Sequence, residues 1–190
     1  MQQLNNISLI ILAGGKSTRM GTDKALLKYQ GKTFVQILYD NLNSICSELI
    51  ISSNNPEIKI EGAKTVADEI KNIGPMGGLY TCLKYSKTEN NIVVSVDTPF
   101  VSAKLLTEIY EQTQNYDISI VEHEKKVHPL IGVYHKNVVK ILESELKSEK
   151  YKVIRFLEKT KHQVISVDNS YKIELLNINN PGDYKKLLEQ

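Results

Sequence analysis

The sequence predicts an α/β domain with a mainly parallel sheet covered by helices on both faces. Three observations carry that prediction. Short, continuous apolar runs alternate along the chain with stretches of helical periodicity. The apolar runs end in glycine or aspartate, as strands buried on both faces do at their loops. The 190 residues suit a single domain, 1–190, able to bury roughly 70% of its unfolded surface.

The elements follow in order. Residues 7–13, "ISLIILA", are apolar throughout and stop at Gly14 and Gly15, which reads as a buried strand. Residues 33–46 place Phe34, Ile37, Leu38, Leu42 and Ile45 on one helical stripe. Residues 48–52 and 65–68 read as the second and third strands, and residues 74–86 as a helix opened by Pro and Gly. "NIVVSVD", 91–97, is a strong buried strand, and residues 102–112 form a helix with Ser102 as its cap. "DISIVEH" and "LIGVYH" are strands, and the charged turn at 122–126 suggests a hairpin or an antiparallel partner. Helical stretches follow around 136–147 and 151–159, then a strand at 162–167 and a closing helix at 183–189.

Composition narrows the function. The chain is 41% hydrophobic and 24% charged, ordinary for a globular protein, and its net charge of +2 argues against a nucleic-acid partner. The early apolar run is too short for a membrane span or a signal core, so no membrane partner is expected and the reading is a cytoplasmic protein. Cys46 and Cys82 lack metal-ligand spacing and read as two buried thiols in a reducing compartment.

The residues that carry chemistry fall at strand ends. Gly15-Lys16-Ser17 and Gly31-Lys32-Thr33 both look like the end of a P-loop. Each lacks the required glycine five positions earlier, where Ile10 and Leu26 stand, so both fail the pattern. The first loop nevertheless gathers Lys16, Arg19 and Lys24 among Gly14, Gly15 and Gly21, a cationic, close-approach turn suited to an anion. Asp68 follows the third strand and Asp97 the strand "IVVSV". In a parallel sheet all of these sites share the carboxyl edge, where ligands bind. Asp97 reads as a turn or cap residue before Pro99 or, beside a phosphate loop, as a Mg²⁺ ligand. Asn177 and Asn179 lie two apart in an extended segment, on one face of it or in a turn before Pro181. His128 reads equally as structural or as a pocket residue.

These residues form a recognisable set. "LAGGKSTRMGTDKALL", "VADEIKNIGPMGGL", "SVDTPF", "HPLIGVY" and "LNINNPGDY" occur in an order and spacing that resemble the molybdenum cofactor guanylyltransferases, over nearly the whole chain. The resemblance implies a Rossmann-like nucleotidyltransferase fold and transfer of GMP from GTP to the phosphate of molybdopterin, with release of pyrophosphate. It implies that Leu12, Ala13, Gly14 and Gly15 lie against GTP, that Asp68 contacts the nucleotide, and that Arg19 and Lys24 hold the triphosphate. It implies Mg²⁺ at Asp97 with Asn179. The family commonly has Asn just after the second strand; here Ser52 takes that position, with Asn54 nearby.

GTP and molybdopterin are the implied partners, with transient contacts to molybdenum insertion or delivery proteins. The basic stretch with Lys150, Lys152 and Arg155 reads either as a solvated helix face or, with His128, as a wall for the acceptor. Rival readings are a cytidylyltransferase or sugar-phosphate nucleotidyltransferase of the same fold, a nucleotide-binding module without catalysis, and a GTP-dependent switch. Gly14 argues for a purine, because the cytidine-specific relatives tend to carry Ala there.

Overall fold

β1, Ile7–Leu12, is fully apolar except for Ser8, and every residue of it is buried. Such a strand has to be covered on both sides. In the computed structural model, which describes residues 4, 6–14 and 22–189, it lies within a seven-stranded sheet. β4, Glu48–Ser52, and β6, Asn90–Ser95, pair with it in parallel on either side. β5, Lys64–Val66, extends the β4 side. Beyond β6 lie β8, Lys126–His135, then β7, Ile118–His123, then β9, His162–Ser166, giving the order β5-β4-β1-β6-β8-β7-β9. Among the described strands of this sheet β8 is the one that runs against the rest, so the expected mainly parallel sheet is what forms.

Alternation along β1 separates two cores. Ile7, Leu9 and Ile11 pack with α1, Phe34–Leu42, and α3, Ala103–Glu111, and Leu187 of α6, Pro181–Leu188, joins the same core. Ile10 and Leu12 pack with α2, Pro75–Tyr85, α4, Val139–Lys147, and α5, Val153–Leu157. This is the period-two partition of a doubly covered sheet.

Several expected boundaries move. The third strand ends at Val66, which leaves Asp68 in the loop beyond it. The helix expected over 33–46 ends at Leu42 and gives way to a 3-10 turn, Asn43–Ile45. The helix expected over 151–159 is confined to Val153–Leu157. The charged turn is tighter than expected: His123 pairs directly with Lys126, and Glu124 and Lys125 both take positive φ. β8 therefore begins at Lys126, ahead of the "LIGVYH" run.

The second GKT ending builds a hairpin and a helix start. β2, Lys28–Tyr29, and β3, Lys32–Thr33, form a small hairpin around Gln30 and Gly31, whose φ values of 49° and 82° match a two-residue type I′ turn. Thr33 then caps α1 by accepting from the Gln36 N–H at 3.3 Å.

Candidate active site

The chain runs outward from β1 to β4 and β5, then returns to β6 on the other side of β1. Strand order reverses there, and the crevice outside the carboxyl ends is the favoured ligand position. The ladder continues past the strand ends: Ala13 N–H donates to the Ser52 carbonyl at 2.9 Å, and Val96 N–H to the Leu12 carbonyl at 3.1 Å. These bonds hold the start of the first loop against the sheet. A cleft of 530 Å³ opens beside it, lined by Ala13, Gly14, Asp23, Asn54, Asn55 and Asp68 among others.

Asp68 is held from two sides. Ser52 Oγ donates to Asp68 Oδ1 at 2.7 Å, and the Asp68 N–H donates to Asn54 Oδ1 at 3.2 Å. Ser52 is 1% exposed and lies beneath the cleft with its hydroxyl engaged by Asp68. The close packing needs Gly78: a Cβ there would stand 2.2 Å from Ser52 Oγ, which is impossible without movement. Cys82 lies behind the pair. Burial, then the Asp68 charge, push its thiol up to about 12, against a weaker effect of Ser52.

The other wall is built on Asp23. Its Oδ1 caps the 3-10 turn Lys24–Leu26 by accepting from the Ala25 N–H at 3.0 Å. Its Oδ2 accepts from Asn55 Nδ2 at 2.9 Å. Adjacent asparagines after β4 thus brace both walls, Asn54 through Asp68 and Asn55 through Asp23. Lys24 then reaches Asn179, Nζ to Oδ1, at 3.0 Å. Asn179 stands next to Ile178, whose N–H donates to the Asp97 carbonyl at 2.8 Å. Asn180 caps α6 in a capping box with Asp183, and this fixes the segment.

Asp97 is half-buried, and among the described residues its carboxylate has no hydrogen-bond or ion-pair partner. The described residues offer no cluster of three or more His, Cys, Asp or Glu able to enclose a metal. One half-buried carboxylate without a protein partner does not make a closed cage, and it fits Mg²⁺, which takes one or two carboxylates plus substrate phosphates; Asn179 Oδ1 is engaged by Lys24. His128 lies within electrostatic reach of Asp97. Burial holds its imidazole below the ordinary range; Lys126 adds to that, Asp97 acts the other way, and His123 adds a smaller lowering effect.

The structure thus brings Lys24, Asp97 and Asn179 to one corner, and Ala13, Gly14 and Asp68 to the adjoining cleft. Leu12 sends its side chain into the core with α2, 3% exposed. Arg19 and Gly15, with Lys16, lie outside the described residues. Lys150, Lys152 and Arg155 flank or belong to α5 and are not among the residues lining the cleft. The bracing role of Asn55 was not anticipated; its sequence signal was the polar "SSNN" stretch directly after an apolar strand.

Known proteins resemble this chain in sequence and in fold. Residues 9–164 match the family model described as MobA-like NTP transferase domain. A Carboxydothermus hydrogenoformans relative named "Probable molybdenum cofactor guanylyltransferase" is 34% identical over 98% of this chain and 97% of its own. A Flavobacterium johnsoniae relative of the same name is 32% identical over 97% of each chain. The crystal structure of molybdopterin-guanine dinucleotide biosynthesis protein A from Archaeoglobus fulgidus superposes with a TM-score of 0.80 at 21% identity, covering 96% of this chain and 97% of that one. The chain belongs to the MobA-like NTP transferase family, in company with the molybdenum cofactor guanylyltransferases.

Proposed function

We propose that the chain transfers GMP from GTP to the terminal phosphate of molybdopterin and releases pyrophosphate, with Mg²⁺ held at Asp97 and Asn179. The observation that carries this reading is the Lys24–Asn179 contact, which joins the far end of the first loop to the segment that bonds Asp97. An acceptor phosphate oxygen attacks the α-phosphorus of GTP, the bond from that phosphorus to the bridging oxygen breaks, and the β- and γ-phosphates leave together. Such a transfer depends on positioning and charge neutralisation, and needs no covalent protein nucleophile. Lys24 offsets charge on the triphosphate, with Arg19 as the second cation of the loop. Mg²⁺, when bound, neutralises and orients phosphate oxygens. Asp97, lacking a protein cation of its own among the described residues, supplies the carboxylate for it.

We assign guanine to the cleft beside Gly14. A Cβ built on Gly14 would stand 3.5 Å from both Asp68 Oδ2 and Ser52 Oγ, ordinary contact for the protein. Gly14→Ala therefore leaves the fold unstrained and places its methyl next to Asp68. The expected result is weaker GTP binding with CTP less affected; calorimetry showing equal affinity for GTP and CTP in the unsubstituted protein would oppose a guanine site. The activity itself is tested by pyrophosphate release from GTP, CTP and ATP, each with and without molybdopterin. Release with GTP that depends on molybdopterin supports the reading.

A further inference from the structure

β8 pairs with β7 in two stretches that are out of step. Ile118 to Ile120 oppose Tyr134 to Gly132, while Val121 to His123 oppose His128 to Lys126. Ile120 and Val121 are consecutive, so Pro129, Leu130 and Ile131 have no counterpart on β7 and bulge from the ladder. Pairing of β8 with β6 also stops at Gly132 opposite Val93, although β6 continues to Ser95. β8 thus parts from β6 just where β6 leads toward Asp97. Bulges beside active sites re-aim side chains or end pairing, and this one begins directly after His128.

The His128 side chain is 5% exposed, and among the described residues its imidazole has no hydrogen bond or ion pair. Its ring nitrogens are not among the buried polar atoms left without a partner, so the polar edge of the ring reaches the surface and is open to a ligand. Its neighbour His123, 8% exposed, is satisfied by Asn169 Oδ1 at 3.0 Å. Lys126 and His128 are two apart on a paired stretch of β8 and share a face, and His123 lies directly opposite Lys126. Of this basic face, His128 lies within electrostatic reach of Asp97. The nucleotide cleft lies on the other side, at Gly14, Asn54 and Asp68. In-line transfer needs attacking and leaving oxygens on opposite sides of the phosphorus, so the β8 side suits the attacking group.

We propose that His128 is an acceptor-binding residue, whose imidazole N–H donates a hydrogen bond to an oxygen of the acceptor's phosphomonoester and fixes it beside Asp97. This rests on the transfer reading above. A neutral N–H orients the phosphate without cancelling the charge that makes its oxygen nucleophilic, and Lys126 offsets the approach of an anion toward Asp97.

The test compares the unsubstituted protein with His128→Ala, His128→Asn and His128→Gln. Calorimetry with GTP and steady-state rates with GTP and molybdopterin are measured for each. His128→Ala is expected to bind GTP within about twofold of the unsubstituted protein while its KM for molybdopterin rises about ten- to a hundredfold, the scale of one hydrogen bond to a charged group. Asn and Gln keep an N–H near the two imidazole positions, and one of them is expected to recover part of the loss. An unchanged KM for molybdopterin in His128→Ala, or GTP affinity that falls in parallel with it, overturns the proposal. Should His128→Ala unfold by circular dichroism, the imidazole NMR signals of the unsubstituted protein decide. Adding molybdopterin to the complex with a non-hydrolysable GTP analogue should shift those of His128, and their failure to move overturns the proposal. Absence of any molybdopterin-dependent turnover in the unsubstituted protein instead rejects the transfer reading itself.

Discussion

Lys24 Nζ donates to Asn179 Oδ1 at 3.0 Å, joining two residues 155 positions apart. The contact ties the first loop to the segment capped onto α6, and that segment in turn holds the backbone of Asp97 through Ile178. On the proposed transfer reading, the groups assigned to phosphate and to Mg²⁺ are thus linked before any ligand arrives, which is the preorganisation that electrostatic catalysis requires.

Lys24 and Lys16 separate two models of the first loop. Lys24→Ala should lower turnover by about two orders of magnitude, roughly 3 kcal/mol, because its contact strengthens as charge shifts to the leaving group. Lys16→Ala should cost much less, since the P-loop spacing that would make Lys16 the phosphate lysine is incomplete. Steady-state rates for both, with circular dichroism for folding, check this; the reverse ranking would restore the P-loop assignment.

Asp97→Asn should keep the fold, because the bond from the Ile178 N–H uses the Asp97 carbonyl and survives the substitution. Turnover should fall at least a hundredfold as the cation loses its carboxylate, on the scale of one lost electrostatic contact. Rates across a Mg²⁺ titration measure it. Mg²⁺-dependent activity that stays normal removes Asp97 from the site.

Ser52 acts through Asp68. Ser52→Ala deletes the 2.7 Å bond and leaves the Asp68 carboxylate free to rotate. GTP affinity should drop about fivefold, near 1 kcal/mol, with turnover at saturating GTP little changed. Gly78→Ala should reproduce the defect from the other side, by displacing Ser52. Calorimetry on both variants tests the shared cause; two unrelated effects would deny it.

The opposite edge of the sheet sets an acid sensitivity. Burial by itself would raise the Glu48 carboxyl, but the Lys87 N–H, Ser8 Oγ and Lys64 outweigh it and hold the group below its ordinary value of 4.5. A depressed carboxylate stabilises the fold above its unfolded value, and that stability is lost as pH falls through the folded one. The loss should therefore appear below about pH 4.5. Glu48→Gln should cost about 2 kcal/mol at neutral pH and flatten the acid limb. Urea titrations across pH read both.

Much of this was legible in the sequence because strands buried on both faces leave continuous apolar runs. The run at Ile7–Leu12 gave the central strand, and the residues just past each run gave the site edge. Lys24, Asp97 and Asn179 were legible as residues, but the contact of Lys24 with Asn179 was not, since nothing local encodes a pairing over that separation. The redirection of Ser52 toward Asp68 was hidden for the same reason: it depends on the space left by Gly78 on another element. The β8 bulge escaped because its first stretch, Lys126–His128, is too short and polar to announce a strand.

The central claim is most directly tested by following the α-phosphorus. The purified chain is incubated with GTP labelled at that atom, Mg²⁺ and molybdopterin, and the products are separated. The account predicts that label and guanosine move together into a molybdopterin dinucleotide, one pyrophosphate being released per product, and that CTP and ATP give far less. Label found in free GMP alone, or equal transfer from CTP, would contradict it.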